Sequence, residues 1–203
     1  MPRSGLIALI FLATCCLSGR ISAQEEWEFA TEKDGIKVYT RQENGTNFKS
    51  FKGETDLMST VAEVLAIVQD VEKFSDWDED ISQIKIIEQE KDKTLKYYVV
   101  YNVPWPFKDR DLVVDAQIST DSLTGTGLVI ARSAPDSFPV DEELVRIMAY
   151  HQKWVIQPLA NGIAHLTLEG YADPAGDIPA WIANLAITDT PLNMLRAIRE
   201  SLE

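Results

Sequence analysis

Between Trp27 and Tyr171 the sequence passes through nine short strand-like runs, and after Pro179 the spacing of its apolar residues becomes that of a helix. This switch of period constrains the fold more than any other feature. The runs are 27–30, 36–39, 48–55, 81–88, 95–103, 112–120, 126–133, 147–157 and 163–171. Asp34-Gly35 and Asn161-Gly162 separate two pairs of them, and these dipeptides suit tight hairpin turns because both residues tolerate positive φ. Nine antiparallel strands form a strongly twisted sheet, and such a sheet must cover its apolar face with another layer.

Only two segments can supply that layer. The first opens at Thr60, where Glu63 three residues later forms a capping box and Val61, Val64, Leu65, Val68 and Val71 recur at helical spacing. Its end is expected near Phe74. The second runs from Pro179 through Trp181, Leu185, Thr188, Leu192, Leu195, Ile198 and Leu202. Pro179 fits a first helical turn, whereas Pro191 lacks an amide hydrogen and is expected to kink the helix. The pattern predicts an α+β fold in which a curved antiparallel sheet wraps the long C-terminal helix, an arrangement that leaves room for a cavity.

The N-terminus has a basic residue at Arg3, an apolar run from Leu6 to Leu17 and small residues ending at Ala23, as a secretory signal does. Residues 1–23 are therefore expected to be a signal peptide, with the folded domain over 25–203. The apolar run falls short of the roughly 18 residues needed to span a bilayer. Both cysteines, Cys15 and Cys16, lie inside it, so disulfides play no part in the predicted domain. Leu12-Ala13-Thr14-Cys15 loosely resembles a lipoprotein cleavage site, but threonine before the cysteine fits poorly. Cleavage would remove two of the 19 basic residues and none of the 32 acidic ones, leaving a formal charge of −15. Such a surface disfavours nucleic acid and leaves at most transient membrane contact. The form of the signal segment points to export, to the periplasm first and otherwise to secretion.

Three segments carry a family resemblance. They are Phe74-Ser75-Asp76-Trp77-Asp78; Val103-Pro104-Trp105-Pro106-Phe107-Lys108-Asp109-Arg110-Asp111-Leu112-Val113; and Trp154 to Pro158 followed by Tyr171-Ala172-Asp173-Pro174-Ala175-Gly176-Asp177-Ile178-Pro179-Ala180-Trp181. In order and spacing they resemble the steroidogenic acute regulatory protein-related lipid-transfer (START) domains of the helix-grip superfamily. Ala175 stands where that family often has glycine. The resemblance implies a helix-grip fold, a tunnel roofed by the last helix, an apolar ligand such as a lipid or sterol, and no covalent chemistry.

Candidate ligand contacts follow from strand and helix faces. Met148 and Tyr150 share a face with Gln152, Trp154 and Ile156, a mixture suited to an apolar pocket with few polar anchors. Tyr98 and Val100 are expected beside them on a neighbouring strand. Trp181, Leu185, Met194 and Leu195 are expected to face the sheet from the last helix. Arg132 shares a face with Leu128 and Ile130, and if that face is internal it requires a partner, such as ligand. Arg110 and Asp111 are read instead as pinning the Pro-rich turn.

Other chemistries lack their residues. Asp76, Asp78 and Asp80 do not continue into a calcium loop, since Ile81 and Ile87 occupy the glycine and glutamate positions. His151 and His165 show no metal-ligand spacing, and no metal or cofactor is expected. A nucleophile elbow and a phosphate-binding glycine loop are missing. An acid/base pair such as His165 with Glu169 could be built on one strand face; the alternative reading, a cyclase- or aromatase-like enzyme using the same cavity, rests on analogy with helix-grip proteins, and the preferred reading is not an enzyme. Asn44-Gly45-Thr46 is a formal glycosylation sequon. The expected function is an exported carrier or sensor of one apolar molecule.

Overall fold

The computed structural model describes residues 26–203. The expected signal peptide, with Cys15 and Cys16, lies outside the described residues. Ten strands form one curved sheet: β1 (Glu28–Lys33), β2 (Ile36–Gln42), β3 (Lys49–Leu57), β4 (Ile81–Glu90), β5 (Thr94–Tyr101), β6 (Arg110–Thr120), β7 (Gly127–Ser133), β8 (Val145–Arg146), β9 (Ala149–Pro158) and β10 (Ala164–Asp173). The order is β1-β2-β3-β10-β9-β7-β6-β5-β4, antiparallel throughout, with the two-residue β8 added in parallel beside β6. The nine expected runs are all strands. The extra one, β8, is too short to carry an alternating pattern.

Between β3 and β4 the chain crosses the concave face through α1 (Val61–Gln69) and α2 (Phe74–Trp77). The capping box forms as expected, with Thr60 Oγ1 accepting from the Glu63 amide and Glu63 accepting from the Thr60 amide. The first helix ends at Gln69 rather than near Phe74. Asp70 leaves helical geometry, and a 3-10 turn over Val71–Lys73 precedes α2. Val71 is buried and Phe74 packs on the core after this change of direction.

The C-terminal segment is two helices, α3 (Ala180–Leu185) and α4 (Asp189–Glu200). The expected kink at Pro191 is overturned. The break falls at residues 186–188, and Pro191 sits in the first turn of α4, where no amide hydrogen is needed. Pro191, Leu192, Leu195 and Ile198 are all buried, whereas α3 buries no residue.

Glycines make these helix seats. A Cβ on Gly53 would lie 2.7 Å from Leu195 Cδ1 and 3.0 Å from Pro191 Cβ, so α4 approaches the backbone of β3 directly. Gly127 on β7 similarly receives Val61 and Leu65 of α1. The far end of α4 is tied to the first hairpin. Arg199 donates to the Asp34 carbonyl at 2.7 Å and to Thr55 Oγ1 at 2.6 Å, and Arg196 pairs with Asp34 at 3.3 Å. Asp34 and Gly35 both have positive φ, as their hairpin requires.

A second, smaller core lies on the convex face. Tyr98, Val100 and Val113 are buried there against Ile87, Ala134, Phe138 and Leu144, with the Tyr98 and Phe138 rings stacked at 4.6 Å. Residues 134–144 form the cover.

Candidate functional site

Along β10 the inward side chains shrink from Leu166 and Leu168 to Gly170 and Ala172. The first two are in the close-packed core; the last two line a cavity of about 300 Å³. At Gly170 the space a Cβ would take is filled by the Phe51 ring, and the cavity opens beside it at Ala172. Lys49 and Phe51 of β3, Ile81 of β4, Tyr97 and Tyr101 of β5, Leu112 of β6, Tyr150 and Gln152 of β9 and Tyr171 of β10 add to the sheet side. Phe74, Trp77 and Asp78 close it from α2, while Ala183, Asn184, Ala186, Ile187, Thr190 and Met194 close it from the C-terminal helices.

Most of this lining is apolar or aromatic. Phe74 stacks on Trp77 at 4.9 Å and meets Tyr97 edge-on at 6.4 Å. Two sets stand out among its polar groups. In the first, Tyr97, Tyr101 and Tyr150 line the cavity with Asp78. Burial pushes all three phenols well above their ordinary range, so they stay protonated. Burial likewise raises the Asp78 carboxyl, opposed by a 3.0 Å hydrogen bond from the Asp80 amide. Buried Gln152 belongs with this set; its amide donates to Met194 Sδ at 3.7 Å, a weak acceptor. In the second set, Asn184 of α3 accepts from the Lys49 amide at 3.0 Å and donates to the Asn47 carbonyl at 2.9 Å. These bonds fasten α3 across the start of β3.

Of the expected contact residues, Tyr150 and Met194 line this cavity. Tyr98 and Val100 do not; they point into the convex core, and their neighbours Tyr97 and Tyr101 face the cavity. The run Leu95-Lys96-Tyr97-Tyr98-Val99-Val100-Tyr101 is apolar on both faces, so alternation could not choose between them. Leu195 is completely buried, but against Gly53 in the core. Met148, 58% exposed, lies in the short link before β9. Trp181 (66% exposed) and Leu185 (71%) point outward, because the break at 186–188 turns α3 so that Ala183 and Asn184 face inward. Arg132 lies on the convex face, where Leu128 and Ile130 are only partly covered and Val129 and Ala131 are the buried residues.

Asp78, in the Asp76-Asp78-Asp80 run, reaches the cavity wall through the packing of α2. Sequence reasoning also missed Phe51, Trp77, Tyr97 and Tyr101. A signal for the last two exists: tyrosines four apart on a strand share one face. His165 pairs with Asp56 at 2.7 Å, and it and Glu169 lie on the face opposite Leu166 and Leu168, with the sheet between them and the cavity. Arg110 pins the Pro-rich turn as expected, whereas Asp111 pairs with Arg146 on the convex side instead. The Arg110 guanidinium donates to the carbonyls of Lys108, Pro174 and Ala175, fixing the 102–109 loop to the one before α3. Among the described residues no cluster of three or more histidine, cysteine and acidic side chains could hold a metal, and no helix is long and apolar enough to cross a membrane.

A curved antiparallel sheet closed by C-terminal helices around an apolar cavity defines a helix-grip protein built to enclose a small apolar molecule. The START domain model matches residues 13–203, and the chain belongs to that family. It is 31% identical over 181 residues to an uncharacterised protein of Pseudomonas aeruginosa, covering 88% of each chain. It is 25% identical over 174 residues to the phosphatidylcholine transfer protein of Bos taurus, covering 84% of this chain and 81% of that one. The crystal structure of a STAR-related lipid transfer protein fragment from Xanthomonas axonopodis superposes with a TM-score of 0.79 at 29% identity, over 87% of this chain and 98% of that one. These relationships support lipid binding.

Proposed function

We propose that the chain is an exported carrier or sensor that encloses one lipid molecule between its sheet and its C-terminal helices, with α3 as the movable lid. The observation that carries this reading is the apolar cavity closed on one side by a helix that buries nothing of its own. α3 is separated from α4 by the break at 186–188 and held to β3 through Asn184, so it can swing out while α4 stays seated on Gly53. At about 300 Å³ the cavity is at the small end of ligand pockets, and a two-chain lipid requires this movement. Trp181 and Leu185, one helical turn apart on the outer side of α3, suit brief contact with a bilayer during exchange. Export rests on the N-terminal segment, whose basic start, apolar run and small residues match a signal peptide.

An enzymatic reading has less behind it. The acid/base pair His165 and Glu169 is on the far side of the sheet, and among the described residues no histidine lines the cavity. Native mass spectrometry of protein purified from its own host tests the binding reading: one apolar molecule per chain is expected. Ala172→Phe, which fills the cavity from β10, is expected to abolish loading while leaving the chain folded. A chain that stays empty after incubation with lipid vesicles would overturn the proposal.

A further inference from the structure

The outer face of the sheet carries a second concavity, which the lipid reading does not use. It is an open groove of about 530 Å³ over β7, β9 and β10, and among the residues lining it are Ile130, Arg132, His151, Lys153, Glu169 and Tyr171. Alternation along β9 sends His151 and Lys153 outward while Tyr150 and Gln152 point to the cavity, so the sheet separates the two sites. Arg132 lies directly opposite His151 in register, and Lys153 stands two residues further along β9 on the same face. Side chains at directly opposite and diagonal positions start about 5 Å and about 7–8 Å apart, close enough for all three to meet on one ion. The His151 ring is held in place by stacking on Tyr171, with centroids 5.4 Å apart and planes 20° from parallel.

The two permanent cations of the groove are unpaired among the described residues. Arg132 faces Asp115 across β6 and Lys153 faces Glu169 across β10, yet Asp115 turns to Lys96 at 3.8 Å and Glu169 forms no ion pair among the described residues. Of the six described arginines, Arg132 alone makes neither a hydrogen bond nor an ion pair there. In a chain of formal charge −13, these two exposed positive groups share one groove with a single lining carboxylate, Glu169. The geometry points to a binding site for a phosphate monoester, held by Arg132, Lys153 and a ring N–H of His151. A carboxylate is filled by one guanidinium fork. A phosphate monoester has three outer oxygens and a charge of roughly −1.5 to −2 at pH 7, which engages the fork on two oxygens and leaves the third to Lys153 and His151. Glu169 limits the affinity, since its carboxylate stands beside the bound anion.

Two sources carry this group, a small phosphate ester in solution and an anionic headgroup at a bilayer surface. The test titrates the full chain at constant ionic strength with glycerol 3-phosphate and with acetate, following the ring signals of the histidines by NMR. Saturable movement of the His151 signals by glycerol 3-phosphate is expected, at a concentration about tenfold or more below that needed with acetate. His165 is the control on the same face: it lies six residues along β10 from Tyr171, roughly 20 Å away at about 3.4 Å per residue, and should not move. Arg132→Ala should weaken binding about tenfold, and Glu169→Gln should tighten it about twofold or more. The denaturant midpoint of Arg132→Ala should match that of the wild type, because the side chain is exposed and unpaired. Co-sedimentation with phosphatidylcholine vesicles that requires both added phosphatidic acid and Arg132 assigns the site to a headgroup; absence of co-sedimentation assigns it to a soluble ester. A His151 signal that does not saturate, an equal response to acetate, or an Arg132→Ala variant that titrates like the wild type would overturn the inference, whatever the cavity holds.

Discussion

Arg146 grips Asp111 with two parallel hydrogen bonds, Nε to Oδ1 at 2.9 Å and Nη2 to Oδ2 at 2.8 Å, on the convex side of the sheet away from the cavity. The same guanidinium takes the carbonyls of Pro135, Phe138 and Pro139, so one buried ion pair organises the loop that covers Tyr98 and Val100. Asp111→Ala should destabilise the domain by about 3–5 kcal/mol, since it strands a buried guanidinium. Urea unfolding measures this. Lipid occupancy per folded molecule should not change, because the sheet separates the pair from the cavity.

Gly53→Val is expected to lift α4 from β3. The added carbons collide with Leu195 Cδ1 and Pro191 Cβ, and overpacking of this kind costs about 1–3 kcal/mol. Denaturant midpoints should fall in the order wild type, Gly53→Ala, Gly53→Val. An unchanged midpoint for valine would mean that α4 does not sit on Gly53.

Asn184→Ala should loosen the lid and leave the core alone. It removes two hydrogen bonds between α3 and the start of β3, at a cost to stability of roughly 1 kcal/mol or less for partly exposed groups. Release of bound fluorescent lipid is expected to quicken by about two- to tenfold. Identical release rates would show that α3 is not the gate.

Leu185→Asp should leave the unfolding midpoint within error, because the side chain is exposed, but slow lipid uptake from vesicles. Met194→Asp should instead reduce the amount of lipid held, since Met194 lines the cavity. The two variants separate access from occupancy.

The capping box makes acid stability dependent on Glu63. Hydrogen bonds from the Thr60 amide, the Thr60 hydroxyl and the Ser59 hydroxyl hold its carboxyl below the ordinary value of 4.5. A lowered folded pKa means that the unfolded chain binds the proton first. The stabilisation is therefore complete above pH 4.5 and is lost as pH falls through the lowered value. Glu63→Gln should flatten the stability profile in that window and leave other parts of it unchanged. Thr60→Ala, which removes the other half of the box, should cost about 1 kcal/mol.

Every main strand, the capping box at Thr60 and the packed face of α4 were legible in the sequence, because period, cap chemistry and turn dipeptides act over a few residues. The cavity was only partly so. Tyr150 and Met194 stood on faces whose polarity marked them, whereas the apolar run Leu95–Tyr101 gave Tyr97 and Tyr98 the same appearance. Pro191 shows the same limit: a proline inside a helical pattern reads as a kink, and as a first-turn residue only once the break at 186–188 is known.

What the sequence determined by itself was the α+β architecture, since each element is specified by local spacing and one apolar face. The tertiary structure alone decided which face meets the cavity, where the last helix divides, and that Asp78 joins three tyrosines at one end of the site. Those features depend on side-chain volumes from distant elements: Gly53 admits α4, Gly170 admits the Phe51 ring, and the loop over Tyr98 gives the sheet a second buried face. A local pattern records that a residue must be buried; what buries it is set by the elements that pack against it.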